Sequence, residues 1–276
     1  MNSTLSLAIL SGKGGVGKTN ISLNLACGLH QMGFKPLLMD CDMGLANLDI
    51  LLGITPTANL QDALMGQTPM EDVLFSIDKG FDVLPAASGV PELNELKPEL
   101  RGILIDRLEP HLSTYDYVFM DLGAGISENV QTFAALASVR IIVITPEPTS
   151  LTDGYALVKV LNNRFGMKDF MVLVNQASSA KEAQVTFERM HKACLHFLHV
   201  EPVMLGHVRR DSKLPEAVCR QKPLLKYAPS SPAARDIMGI AEKLQKIRLG
   251  MADWLAERSI LQRPADTAPS GDEDLA

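Results

Sequence analysis

Apolar residues gather in short runs, at residues 5–10, 36–39, 81–84, 117–120, 140–145 and 170–174. Runs of this length, apolar at nearly every position, fit strands covered on both faces. Helical patterns fill most of the gaps, the first over residues 19–32. Strands alternating with helices require crossovers, so the expected fold class is α/β, a doubly wound, mostly parallel sheet flanked by helices. Ligands in such sheets sit at the carboxyl ends of the strands. No internal repeat is visible, and proline punctuation is confined to loops such as 146–149 and 229–232. Near the C-terminus Ile237, Ile240, Leu244, Ile247, Met251, Trp254 and Leu261 share one helical stripe. Its first half reads as a helix lying on the sheet. The second half, 249–261, carries a tryptophan and a slight positive excess, and reads either as a weak interfacial anchor or as core or dimer contact. Gly250 weakens helix there by about 1 kcal/mol, which would let folding depend on a membrane.

The first apolar run opens into Ser11-Gly12-Lys13-Gly14-Gly15-Val16-Gly17-Lys18-Thr19, a complete G-x-x-x-x-G-K-T phosphate loop placed where a strand turns into a helix. Gly12, Gly14, Gly15 and Gly17 lack Cβ atoms, so backbone amides can approach phosphate oxygens. The helix beginning near Lys18 adds its positive dipole end. Lys18 reaches the β and γ phosphates, and the Thr19 hydroxyl coordinates a bridging magnesium ion. Lys13 has no such task within one ordinary loop.

Acidic residues close two of the other strands. Asp40 and Asp42, two residues apart, put both carboxylates near the mouth of the sheet beside the expected magnesium and γ phosphate; an Asx turn after a strand is the alternative. Asp121 ends the run at 117–120 and can hold magnesium through a water, while Gly123 and Gly125 leave the following backbone free to swing amides toward the γ phosphate. Asn175 closes the run at 170–174, and its amide offers a donor and an acceptor to a purine edge or serves as a turn residue.

The loop with its extra lysine resembles the deviant Walker A motif of the MinD/ParA family. That resemblance implies that Lys13 reaches across an ATP-bound homodimer to the partner's phosphates. Residues 40–47 resemble the family's switch I, which implies that Asp42 orients or deprotonates the attacking water and that Asp40 supports the metal shell. Residues 121–126 resemble Walker B and switch II, with Gly123 where the family often has proline. Asn175 takes the place of the base-contact asparagine, and Arg209 stands where the second base loop usually has proline, placed to stack on adenine or to be solvated. More narrowly, residues 47–53, 85–89, 121–127, 146–153 and 229–232 together resemble the FlhG/FleN flagellar-number regulators, over roughly residues 4–245.

The resemblance implies an ATPase, slow and stimulated by a partner, that pairs as a homodimer with ATP and magnesium, binds the inner membrane surface in that state, and limits or places flagella. Its partners would be an FlhF-type GTPase, a flagellar basal-body part or a transcription regulator. MinD-type division-site control or ParA-type cargo positioning is the alternative. Only a few residues precede the first strand, so the N-terminal glutamine-containing arm by which some members stimulate FlhF is not expected. The expected catalytic groups are Lys13, Lys18 and Asp42. The nucleotide falls to Gly12, Gly14, Gly15, Val16, Gly17, Lys18, Thr19, Asn20, Gly123, Gly125 and Asn175, and the metal to Thr19, Asp40 and Asp121. Reductases and cluster carriers with the same loop need cysteines near switch II or paired as C-x-x-C, and tyrosine-kinase relatives need a C-terminal tyrosine cluster, whereas the last tyrosine here is Tyr227. A scaffold that holds ATP without turnover would release no phosphate.

Composition trims this picture. The 276 residues suit one domain of this class over 1–245, followed by an amphipathic helix over 246–263 and a disordered acidic tail over 264–276. The tail carries four acidic and no basic residues, so without it the formal charge moves from −6 to −2, with 26 basic residues facing 28 acidic ones. A nearly neutral body does not call for nucleic acid as a partner. Cys27, Cys41, Cys194 and Cys219 are widely spaced and read as reduced thiols. No leader and no apolar stretch near the ~20 residues needed to span a bilayer appears, so the expected location is the cytoplasm, peripheral to the membrane in the ATP state.

Overall fold

A computed structural model describes residues 3–42, 47–60, 62, 68–86 and 98–262. The strands are β1 (Leu5–Ser11), β2 (Pro36–Cys41), β3 (Phe75–Asp78), β4 (Phe81–Leu84), β5 (Tyr117–Ala124), β6 (Val139–Ile144), β7 (Met171–Ala177) and β8 (Val203–Arg209). They make one sheet in the order β3-β4-β2-β5-β1-β6-β7-β8. Every pairing is parallel except that of β3 with β4. The helices are α1 (Lys18–Gln31), α2 (Leu48–Leu52), α3 (Met70–Val73), α4 (Pro98–Leu112), α5 (Glu128–Leu136), α6 (Pro148–Phe165), α7 (Ala180–Leu198), α8 (Lys213–Cys219), α9 (Leu224–Tyr227), α10 (Pro232–Gly250) and α11 (Ala252–Ala256). The fold is the expected doubly wound α/β sandwich.

Strand β1 shows why the sheet needs two helical layers. Its side chains alternate: Leu5, Leu7 and Ile9 pack with Leu25 and Leu29 of α1 and Ile237 and Leu244 of α10. Ala8 and Leu10 instead join Phe133 of α5, Leu157 of α6 and Met190 of α7. Both faces are dry, which is what an uninterrupted apolar run encodes. Truncating a fully buried ring such as Phe119 would cost about 3–5 kcal/mol. Strand β1 leads through α1 to β2 on one side, while β6 and β7 extend the sheet on the other. The crevice outside its carboxyl end is therefore the place for a ligand.

Two strands escaped the hydrophobic pattern. Strand β3 is an edge of four residues with alternating exposure, and β8 is an edge interrupted by Gly206 and His207. Strands β2, β5 and β7 also run two to four residues past their apolar runs. Asp40, Asp121 and Asn175 therefore lie inside the sheet and not in the loops beyond it.

The C-terminal stripe is corrected more deeply. A single amphipathic helix over 246–263 is not formed: α10 ends at Gly250, α11 covers five residues, and the chain then runs on irregularly. Gly250 is the weak point of a continuous helix, and breaking there lets Leu255, Ile260 and Leu261 enter the core. The Ser6 hydroxyl donates to the Ile260 carbonyl at 2.7 Å, the Ile260 amide donates to Glu109 at 3.1 Å, and the Gln262 amide donates to the Leu136 carbonyl at 2.7 Å. The segment is thus a strap across the amino ends of the strands. The acidic tail expected over 264–276 and the middle of the loop at 43–46 lie outside the described residues. Among those residues no helix is long and apolar enough to cross a membrane.

Candidate functional site

The phosphate loop bridges β1 and α1 and lines a cavity of about 430 Å³ with Ser11, the stretch 14–20, Asp42, Asn47, Ile50, Leu51 and Ala124. Gly14, Gly15, Val16, Gly17, Lys18, Thr19 and Asn20 are thereby brought together. Gly17 has φ +86°, and a Cβ there would sit 2.5 Å from Asn175 Nδ2, so only glycine closes this turn. Gly12 packs its Cα face against the Asp153 backbone, behind the cavity.

Beneath the loop lie the charges. Lys18 is 8% exposed and its Nζ donates to Asp121 Oδ1 at 3.1 Å, an oxygen that also accepts from the Ser22 hydroxyl at 2.8 Å. Asp40 and Asp121 are register partners on β2 and β5, and both are almost fully buried. Asp40 accepts backbone N–H bonds from Asp42, Asn47 and Leu48 at 3.0, 3.2 and 3.3 Å. These bonds tie the start and end of the 42–47 loop to one carboxylate. Burial first, and then the neighbouring Asp121 carboxylate, push the Asp40 carboxyl up to about 7. Two adjacent carboxylates under one lysine make a place where a divalent cation is favoured over a second buried anion.

Asp42 lies at the mouth of the site. A Cβ on Gly123 would stand 3.3 Å from Asp42 Oδ1, so a residue with a side chain there would press on that carboxylate. The Gly125 amide donates to the Ser11 carbonyl at 2.9 Å, fastening the loop after β5 to the start of the phosphate loop. Lys13 is not part of the cavity lining. Its ammonium donates to Glu147 Oε2 at 2.7 Å and to Thr149 Oγ1 at 3.0 Å, at the start of α6.

Asn175 is buried, donating through Nδ2 to the Val16 carbonyl at 2.8 Å and accepting the Gln176 amide at 2.9 Å. Both of its polar groups are engaged within the chain, where they brace the phosphate loop. Arg209 is partly exposed, and its Nε and Nη2 each reach an Asp236 carboxylate oxygen at 2.8 Å. That fork of charge-assisted bonds pins β8 to α10. Sequence reasoning missed Ser22, Ser11, Glu147, Thr149 and Asp236. Ser22, one helical turn after Lys18, is the one with a local signal; Glu147, Thr149 and Asp236 meet their partners through the tertiary fold.

Magnesium and a triphosphate fit these residues. The Ser11 hydroxyl is buried in the lining with no hydrogen-bond partner among the described residues, and the glycine cradle admits phosphate close to the backbone. No group of three or more His, Cys, Asp or Glu that could hold a metal ion by itself occurs among the described residues. A metal here would complete its shell with a hydroxyl, phosphate oxygens and waters, as magnesium does.

Comparisons decide the family. Residues 5–244 match the family model described as cellulose biosynthesis protein BcsQ. The antiactivator FleN of Pseudomonas aeruginosa is 37% identical over 264 residues, covering 94% of each chain. The flagellum site-determining protein YlxH of Helicobacter pylori is 35% identical over 237 residues, covering 85% of this chain and 80% of its own. The septum site-determining protein MinD of Pyrococcus horikoshii, solved with Mg-ADP, superposes with a TM-score of 0.72 at 26% identity, over 88% of this chain and 97% of its own. This chain is a MinD/ParA-family P-loop ATPase. It belongs to the matched family, although the cellulose role in that family's description is not thereby a role of this chain. As a MinD/ParA ATPase it hydrolyses ATP, with ATP and magnesium as cofactors. Thr19, Asp40 and Asp121 would hold magnesium, which would supply charge neutralisation at the terminal phosphates. The MinD/ParA chain itself supplies the cradle, the buried Lys18 charge and the carboxylates of Asp40 and Asp121 on adjoining strands.

Proposed function

We propose that this ATPase is a dimerisation switch that limits or places flagella. The carrying observation is the similarity to FleN along 94% of both chains, supported by YlxH. In this reading Lys18 and the amides of 14–19 hold the β and γ phosphates, Thr19 and Asp121 hold magnesium, and Asp40 supports that shell while fixing the 42–47 loop. Asp42 orients the attacking water. Lys13 crosses to the partner's phosphates, so that two chains close over two nucleotides and form contacts absent from the monomer. The ATP dimer attaches peripherally to the inner membrane surface, through the apolar residues the strap leaves outside, Leu249 at 65% exposed and the half-buried Trp254. Pairing two weak anchors raises their effective concentration. Its partner is an FlhF-type GTPase, a basal-body part or a transcription regulator.

Division-site or cargo positioning is the second reading, and similar solved structures favour it: they include MinD of Pyrococcus horikoshii and a ParA-family ATPase from Chlorobium tepidum, the latter with a TM-score of 0.70 at 22% identity. A deletion strain separates the two. Altered flagellar number or placement with normal cell length supports the flagellar role; normal flagella with minicells, or unequal inheritance of a cargo, supports positioning.

A further inference from the structure

Lys13 is engaged in its own chain. Its ammonium, outside the cavity lining, is held by Glu147 Oε2 at 2.7 Å and Thr149 Oγ1 at 3.0 Å. Glu147 is the N-cap residue of α6, next to Pro148, whose fixed φ sets the start of the helix and so the position of both acceptors. The Glu147 carboxyl is held below its ordinary range, first by its bond to Lys13. An ammonium bonded to a carboxylate and a hydroxyl has one donor left.

We propose that Glu147 and Thr149 form an intrachain latch that restrains Lys13 in the monomer and that must open before two chains close on each other. The proposal rests on the reading that Lys13 crosses to the partner's phosphates. A triphosphate carries several negative charges where Glu147 carries one, so ATP outcompetes the latch and ADP, lacking the γ phosphate, competes less well. The pair is exposed, with 39% and 61% of the two side chains accessible. A single exposed pair therefore shifts an equilibrium by only about 1.5- to threefold, but a symmetric dimer opens two latches, so the factor enters twice. Releasing it should tighten the ATP dimer by about two- to tenfold, most at low ionic strength.

The test uses the full chain with magnesium and a non-hydrolysable ATP analogue, following mass by light scattering across protein concentration. Glu147→Gln should reach half-dimerisation at about two- to tenfold lower concentration than wild type, with unchanged nucleotide affinity and melting temperature. Thr149→Val should do the same more weakly, and both gains should shrink in high salt. In a Lys13→Ala background, itself monomeric, neither substitution should have any effect. Glu147→Gln that dimerises like wild type, or less well, overturns the latch while leaving the role of Lys13 intact. Lys13→Ala that dimerises like wild type overturns the crossing role on which the latch depends. A gain from Glu147→Gln that persists without Lys13 would overturn the latch as well, since Glu147 would then act on its own and not by restraining the lysine.

Discussion

The two ends of the sheet treat charged groups in opposite ways. At the amino ends of the strands, the Ser6 hydroxyl donates to the Ile260 carbonyl, the Ile260 amide to Glu109 and the Gln262 side chain to the Ser259 carbonyl, and Arg248 is closed on Asp116 at 2.7 Å. At the carboxyl ends, Asp40 and Asp121 are buried side by side with one lysine between loop and sheet, and the Ser11 hydroxyl has no partner among the described residues. The contrast lies in charge: the carboxyl end buries two carboxylates on adjoining strands, whereas at the amino end Asp116 is partly exposed and paired with Arg248. Buried charge that a fold does not need for closure marks the place where chemistry is done.

Substitutions at the carboxyl end should therefore remove activity far out of proportion to stability. Lys18→Ala, which deletes the cation proposed to hold the phosphates, should lower ATP turnover by at least about 10²-fold. Phosphate release checks it, with circular dichroism confirming the fold. Asp42→Ala should lower turnover by about 10²-fold while leaving nucleotide affinity near wild type, because the carboxylate is assigned to the water and not to the nucleotide. Turnover at the wild-type rate would remove Asp42 from that role.

The amino end should behave in reverse. Ser6→Ala leaves the buried Ile260 carbonyl without its donor and should cost about 1–3 kcal/mol of unfolding free energy in urea, with turnover per folded molecule unchanged. A further effect should appear in the pH dependence of the nucleotide-free protein. Asp40 titrates near 7 when folded and near the ordinary carboxylate value when unfolded, so between those values the folded state binds the extra proton. That contribution to stability is present at acid pH and is lost as pH rises toward about 7. Asp40→Asn should flatten this slope, and thermal melts from about pH 5 to 8 in chelator would show it. Added magnesium should flatten it too.

The sequence displays most of the carboxyl end, because that end is built from local signals: a nine-residue loop, and aspartates closing apolar runs. It hides what depends on distant packing. Glu147 lies 134 residues from Lys13, and Asp236 lies 27 from Arg209, so neither partner is marked by any spacing rule. The C-terminal stripe misleads for a related reason. Ile237 to Leu244 and Trp254 to Leu261 share one periodicity, yet the break at Gly250 brings Leu255 and Ile260, off that stripe, into the core with Leu261, and periodicity alone cannot see the break. Strands β3 and β8 escape notice because edge strands need only one partner and one covered face, so their sequences are mixed.

At the centre of this account is the joining of two chains by ATP through Lys13. Light scattering of the full chain with magnesium, in ADP and in a non-hydrolysable ATP analogue, tests it directly. The account predicts a monomer in ADP, a dimer in the analogue, and a monomer in both for Lys13→Ala. The same mass in both nucleotides for the wild type, or a Lys13→Ala protein that pairs as the wild type does, would contradict it.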